Sequence, residues 1–180
     1  MSSNFFAGLE DTKRKASTND RHSPLVGDWS TGAYAFGKYN LEVDNILTKE
    51  TKRDGHPMAI VEFTVVEVVA AMDKDQNRID QSDAGAMTAS VSHEVGAKVS
   101  VVYVTPRNGR GVLTEKGQKA MDRLASAIEA IIEVPSGTLD AATAGAVLEE
   151  PEEYTGGLVT CAIAGREWTN KAGNTSLWVQ

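Results

Sequence analysis

The sequence predicts a mainly β domain with one or two helices, and three observations carry that reading. Residues 37 to 47 alternate apolar and polar side chains. Met58 to Met72 and Lys98 to Thr105 are dense in β-branched residues, and a single clear helical period follows the last of these runs. Alternation of period two marks a half-buried strand, and β-branched side chains suit a pleated surface.

Residues 1 to about 33 read as a flexible N-terminal arm ahead of a body from 34 to 180. Phe5, Phe6 and Leu9 form one small apolar cluster. After it come Asp11-Thr12-Lys13-Arg14-Lys15 and a Ser/Thr/Asn stretch too polar to order itself by burial. In the first strand Tyr39, Leu41 and Val43 alternate with Lys38, Asn40, Glu42 and Asp44. A polar turn, Lys49 to Pro57 with Asp54-Gly55, joins it to Met58–Met72 as a hairpin with a long loop. Asp73 to Ser92 lacks a period and reads as a loop.

The valine-rich strand Lys98–Thr105 closes on Pro106-Arg107-Asn108-Gly109-Arg110-Gly111, a turn-rich loop. Thr114 can cap the helix that follows. Met121, Leu124, Ile128, Ile131 and Ile132 share one face of that helix, and Pro135-Ser136-Gly137 ends it. An alanine-rich second helix is expected over about 139 to 148, then an acidic linker from Glu149 to Tyr154. Leu158 to Thr169 and Thr175 to Val179 form a closing hairpin around Asn170-Lys171-Ala172-Gly173. Five strands with one helix after the third is the order of an OB-like antiparallel five-stranded barrel.

Composition narrows the function. The 180 residues suit one domain, and the formal charge of -7 opposes a strongly basic nucleic-acid binder while leaving room for local basic patches. One cysteine, Cys161, permits no intrachain disulfide, and its apolar setting suggests a buried thiol. No apolar run approaches the roughly 20 residues that span a bilayer. Met1-Ser2-Ser3-Asn4-Phe5-Phe6 has no signal-peptide character, so a cytoplasmic setting is expected.

The motifs of catalysis do not assemble. No Gly-Lys-Ser/Thr triplet is present, and Gly109-Arg110-Gly111 reads as a turn. Asp73-Lys74-Asp75-Gln76-Asn77 opens like a calcium loop, but Arg78 stands where the sharp turn needs glycine and Ala84 where a bidentate Glu belongs. His22, His56 and His93 lie in unrelated segments. Glu62 and Glu67 fall on opposite faces of a strand. No catalytic residue, metal or cofactor is expected, and the chain reads as a binding protein.

Charge distribution supplies the candidate site. Three segments are basic: Lys49-Glu50-Thr51-Lys52-Arg53, Arg107 to Arg110, and Arg166 to Lys171. In such a barrel they fall on the first hairpin loop, the exit of the third strand and the last hairpin. The last hairpin also holds Trp168 and Trp178. Bases stack on aromatic rings at roughly 1–3 kcal/mol each, while Lys and Arg follow the phosphates. Lys38, Lys49, Lys52, Arg53, Arg107, Arg110, Arg166, Trp168, Lys171 and Trp178 are therefore the expected nucleic-acid contacts. Strand parity turns Trp178 outward if Leu177 and Val179 face the core. The competing account has solvated basic loops and tryptophans that fill the interior.

The pattern resembles small bacteriophage proteins of OB-fold type, encoded beside replication and recombination genes, which include single-stranded DNA-binding proteins. The matching features are Gly37-Lys38-Tyr39-Asn40-Leu41-Glu42-Val43, Lys49 to Arg53 with Gly55 and Pro57, and Ile60-Val61-Glu62-Phe63-Thr64-Val65. Gly157-Leu158-Val159, the Gly173 turn and the final short strand fit as well. The resemblance implies single-stranded DNA as partner during phage replication or recombination, often with a homodimer, in the host cytoplasm. The sequence departs from many such proteins by stopping at Trp178-Val179-Gln180 without an acidic tail, which puts tail-mediated recruitment of polymerase or helicase in doubt unless the sequence is a shortened one. Two rival classes remain: a phage structural or assembly protein joined through its Phe5-Phe6 arm, and a metal-dependent nuclease built from scattered carboxylates.

Overall fold

The computed structural model describes residues 22–28, 30–140, 148–169, 171–173 and 175–179, without the side chains of Trp168, Trp178 and Val179. Its elements in order are β1 (Ser23–Pro24), β2 (Gly27–Asp28), β3 (Ala33–Tyr34), β4 (Gly37–Glu50), β5 (Pro57–Ala71), α1 (Ala84–Thr88), β6 (Lys98–Val104) and α2 (Glu115–Ile131). A 3-10 turn (Pro151–Tyr154), β7 (Leu158–Ile163), β8 (Gly165–Thr169) and β9 (Thr175–Val179) complete the chain. The domain is mainly β, with the two helices α1 and α2 among the described elements.

Alternation builds the central hairpin. Tyr39, Leu41 and Val43 of β4 face inward, opposite Val68, Val65 and Phe63 of β5. Strict alternation would then turn Ile46 to solvent, yet Ile46 is buried. The register slips between Val43 and Asn45, and that extra residue returns the following side chain to the core. β6 pairs antiparallel with β5, β7 with the first half of β4, and the sheet runs β1-β6-β5-β4-β7.

Closure differs from the sequence expectation. Among the described residues the sheet is open, and β8 and β9 form a separate two-stranded ribbon. Leu158 to Thr169, read as one strand, changes partner at Ala164: Ile163 pairs with Gly37 of β4, whereas Gly165 pairs with Val179 of β9. Packing is tight at Gly165, beside this break. A Cβ there would stand 3.0–3.1 Å from side-chain atoms of Gln76, Leu177 and Phe36, so only glycine passes between them without displacing a neighbour.

Of the stretch read as an arm, residues 22–28 and 30–33 are described, and its Ser23–Val26 part packs on the sheet. β1 lies parallel to β6, the Leu25 N–H donates to the Ser100 carbonyl at 2.9 Å, and Leu25 is buried. Phe5, Phe6, Leu9 and the basic run that follows lie outside the described residues.

α2 follows its sequence reading. Thr114 Oγ1 accepts the Gly117 N–H at 3.2 Å, and Met121, Leu124, Ile128 and Ile131 are buried against the sheet. The polar stretch 73–92 holds one short helix, α1, whose N-terminal amides are capped by Asp83. The expected alanine-rich helix falls largely outside the described residues. The segment read as an acidic linker coils into the 3-10 turn. Among the described residues no helix is long and apolar enough to cross a membrane.

Candidate nucleic-acid interface

The expected contact residues divide into two sets at opposite ends of β4. At one end Lys49 pairs with Met58, which pairs with Val104 of β6. One step further, the Thr105 N–H and Oγ1–H both donate to the Pro57 carbonyl at 2.9 Å. The β4–β5 loop with Lys49, Lys52 and Arg53 therefore shares this end with the β6 exit, which carries Arg107 and Arg110. Lys38 stands at the other end, beside Ala70 and Ala162. The ribbon with Arg166 and Lys171 joins there, because Gly165 lies against Phe36 and Gln76. Lys38 and Lys49 are roughly 36 Å apart at the usual rise along a strand.

Local hydrogen bonds shape each basic loop. The Thr51 N–H donates to the His56 carbonyl at 2.8 Å, and the His56 N–H returns to Thr51 Oγ1 at 2.9 Å. The four residues between them are pinched outward with Lys52 and Arg53 exposed. Arg53 has an Asp54 carboxylate at 3.8 Å, an exposed pair that contributes little. In the second loop Asn108 Oδ1 accepts the Arg110 and Val112 N–H groups at 2.9 and 3.1 Å, which leaves the Arg110 side chain in solvent. Arg107 is half-buried and donates from Nη1 to the Gly111 carbonyl at 3.0 Å, so part of its donor capacity holds its own loop.

The outer face of the sheet changes character along its length. At the basic end Leu47, Ile60 and Val102 form one cross-strand row, and Lys49, Met58 and Val104 form the next. These side chains are incompletely covered, and Val102 is 51% exposed. Sequence reasoning missed this apolar patch. Its signal was that Met58 to Val61 and Val101 to Val104 are apolar at both parities, so one of the two faces had to present apolar groups outside the core.

Further along, the same face becomes acidic. His22 lies between two carboxylates, with Nε2 3.6 Å from Asp44 and Nδ1 3.5 Å from Glu62. Lys98 Nζ approaches Asp44 at 3.0 Å. Burial pushes the Asp44 carboxyl upward, but hydrogen bonds from Thr64 and Lys98 outweigh it and hold the group below the usual range. Glu67 accepts from the Asn40 amide on this same face, because the register slip between Asn40 and Leu41 overturns the strict alternation that set it opposite Glu62. This middle zone thus sets Asp44, Glu62 and Glu67 around one lysine, Lys98, whereas the basic end carries Lys49, Lys52 and Arg53.

On the ribbon, the backbone register pairs Arg166 with Trp178 and Trp168 with Ser176, so these four positions fall on one face. The side chains of both tryptophans lie outside the described residues, and so does the expectation that Trp178 points outward. Leu177, on the other face, is 38% exposed.

The remaining reactive groups are committed to structure. Burial pushes the Cys161 thiol up to about 11, away from a nucleophile's range. Burial also lowers the pKa of His93, leaving the ring neutral, and its Nε2 lies 2.7 Å from the Leu25 carbonyl, which makes that nitrogen the donor. Asp73 Oδ1 accepts the Asp75 and Asn77 N–H groups at 2.9 and 2.8 Å, spending its carboxylate on its own turn. Among the described residues no three His, Cys, Asp or Glu side chains are grouped to hold a metal ion. Comparison with protein-family models, with curated proteins and with solved structures finds no match.

Proposed function

We propose that this chain binds single-stranded DNA with little sequence preference, through an OB-like platform in which bases rest on the outer face and phosphates on the basic loops. One juxtaposition carries the reading. In a chain of net charge -7, Lys49, Lys52, Arg53, Arg107 and Arg110 gather at one end of the sheet beside the incompletely covered row Leu47, Ile60 and Val102. Exposed apolar surface rimmed by cations suits unstacked bases joined by phosphates. Duplex DNA buries its bases and gains only the phosphate part.

The OB-like assignment draws support from order and pairing. The helix follows the third long strand, and β7 returns to pair antiparallel with the first. The sequence resemblance adds a phage replication or recombination setting, with a homodimer as the assembly. A strand that reached from the basic end to the ribbon would fit a site of roughly 4–16 nucleotides. The test is fluorescence anisotropy with a labelled oligothymidine. The combined variant Lys49→Ala, Lys52→Ala, Arg53→Ala should weaken binding with the melting temperature held, and Ile60→Ser should weaken it separately. Undiminished affinity in both variants overturns the proposal.

A further inference from the structure

Gln76 occupies the turn Asp73 to Asn77 with φ at 65°, a left-handed conformation that is uncommon for a residue with a side chain. The turn is braced to keep it there. Gln76 N–H donates to the Asp73 carbonyl at 3.0 Å, and Asp73 N–H donates to the Asn77 carbonyl at 3.0 Å. Asp73 Oδ1 takes two further amides of the same turn. A surface turn with no other duty is served by glycine or asparagine at such a position. Strain held this firmly points to a task for the side chain.

That task is visible at the ribbon. Gln76 Oε1 accepts the Gly165 N–H at 2.6 Å, across 89 residues of sequence. Gly165 is the seam where the chain leaves the β4 ladder for the β9 ladder. Both Gln76 and Gly165 are half-buried, and Phe36 and Leu177 flank the same point. Beyond the seam the ribbon carries Arg166 and Lys171, both exposed.

We infer that Gln76 is a positioning residue that clamps the pivot of the β8–β9 ribbon and sets where Arg166 and Lys171 stand relative to the sheet. Its consequence for affinity rests on the single-stranded DNA reading above, while the clamp itself is measurable without any ligand.

The full chain serves for both measurements. Gln76→Ala removes the acceptor, Gln76→Gly removes acceptor and strain together, and Gln76→Glu keeps an acceptor. Hydrogen exchange followed by NMR should show Gly165 losing protection on the order of 10-fold in the first two, the scale of one hydrogen bond. Residual dipolar couplings of Thr169 and Thr175 to Val179 should shrink relative to those of β4, α2 amides should keep their protection, and Gln76→Glu should restore the original pattern. Unchanged Gly165 protection, or a loss spread equally through α2, overturns the clamp. With oligothymidine, Gln76→Ala should weaken binding, and should add nothing once Arg166→Ala and Lys171→Ala are present. A loosened ribbon with unaltered affinity overturns the link to binding and leaves the clamp standing. Failure of the unaltered chain to bind at all refutes the DNA reading, with the clamp still decided by NMR.

Discussion

Tyr39 and His93 are joined twice: the His93 N–H donates to the Tyr39 hydroxyl at 3.1 Å, and their rings sit with centroids 5.5 Å apart. The same hydroxyl donates to the Ala35 carbonyl at 2.8 Å. One fully buried side chain of β4 thereby fixes both the chain that enters the strand and the far end of the 72–97 loop. Burial pushes the Tyr39 hydroxyl above its ordinary value, so it remains a neutral donor. Tyr39→Phe should cost about 1–3 kcal/mol, because the His93 amide loses its acceptor in a covered site. Urea denaturation measures the loss, and unchanged stability would contradict the role.

Ile128 is fully buried at the centre of the α2 face, beside Leu124 and Ile131. Ile128→Ala should destabilise the fold by about 2–5 kcal/mol, the transfer and cavity terms together. A loss below about 0.5 kcal/mol in the same denaturation experiment would mean that α2 does not close this core.

Glu129 follows on the same helix with only 3% of its surface exposed. Its carboxylate accepts the Leu139 N–H at 2.7 Å and the Gly137 N–H at 3.0 Å, and these bonds, Leu139 first, hold it below the usual carboxylate range. With a depressed folded value, its stabilisation is complete above the unfolded-state value of about 4.3 and is lost as pH falls through the folded one. Acid unfolding of Glu129→Ala should therefore show a shallower stability slope below about pH 4. An identical slope in the variant and the unaltered chain would contradict this.

The parts legible in the sequence are those governed by local period. The alternation at Tyr39, Leu41 and Val43, and the helical spacing of Met121, Leu124, Ile128 and Ile131, each state their own buried face. What escaped depends on contacts distant in sequence. Ile46 breaks alternation because of a register slip with β5. The chain changes ladders beside Gly165, where Gln76 and Phe36, both distant in sequence, pack with Leu177. Leu25 and Val26 are a short apolar pair in a polar stretch, and the parallel pairing of β1 beside β6 places Leu25 in the core. The site was half legible. The basic loops stood out as charge, but their separation along β4 and the Leu47–Ile60–Val102 row between strands follow from register, which no single segment encodes.

Cys161 offers a direct probe of the sheet edge. Its thiol is half-buried on β7 opposite Tyr39 and is pushed up to about 11. Alkylation at about pH 8.5, where an ordinary thiol is half ionised, should be slower than in the urea-unfolded chain by roughly two orders of magnitude or more. Equal rates would show that β7 does not hold the thiol out of solvent.

The central claim is that phosphates meet the cations gathered at the Lys49 end of the sheet. Titration of a labelled oligothymidine across a range of salt concentrations tests it most directly. Log affinity should fall linearly with log salt, with a slope of about 0.7 for each phosphate contact, and each of Lys49→Ala, Lys52→Ala and Arg53→Ala should flatten it by about that amount. Affinity that does not change between about 50 and 200 mM salt, or no binding at any salt, would contradict the account.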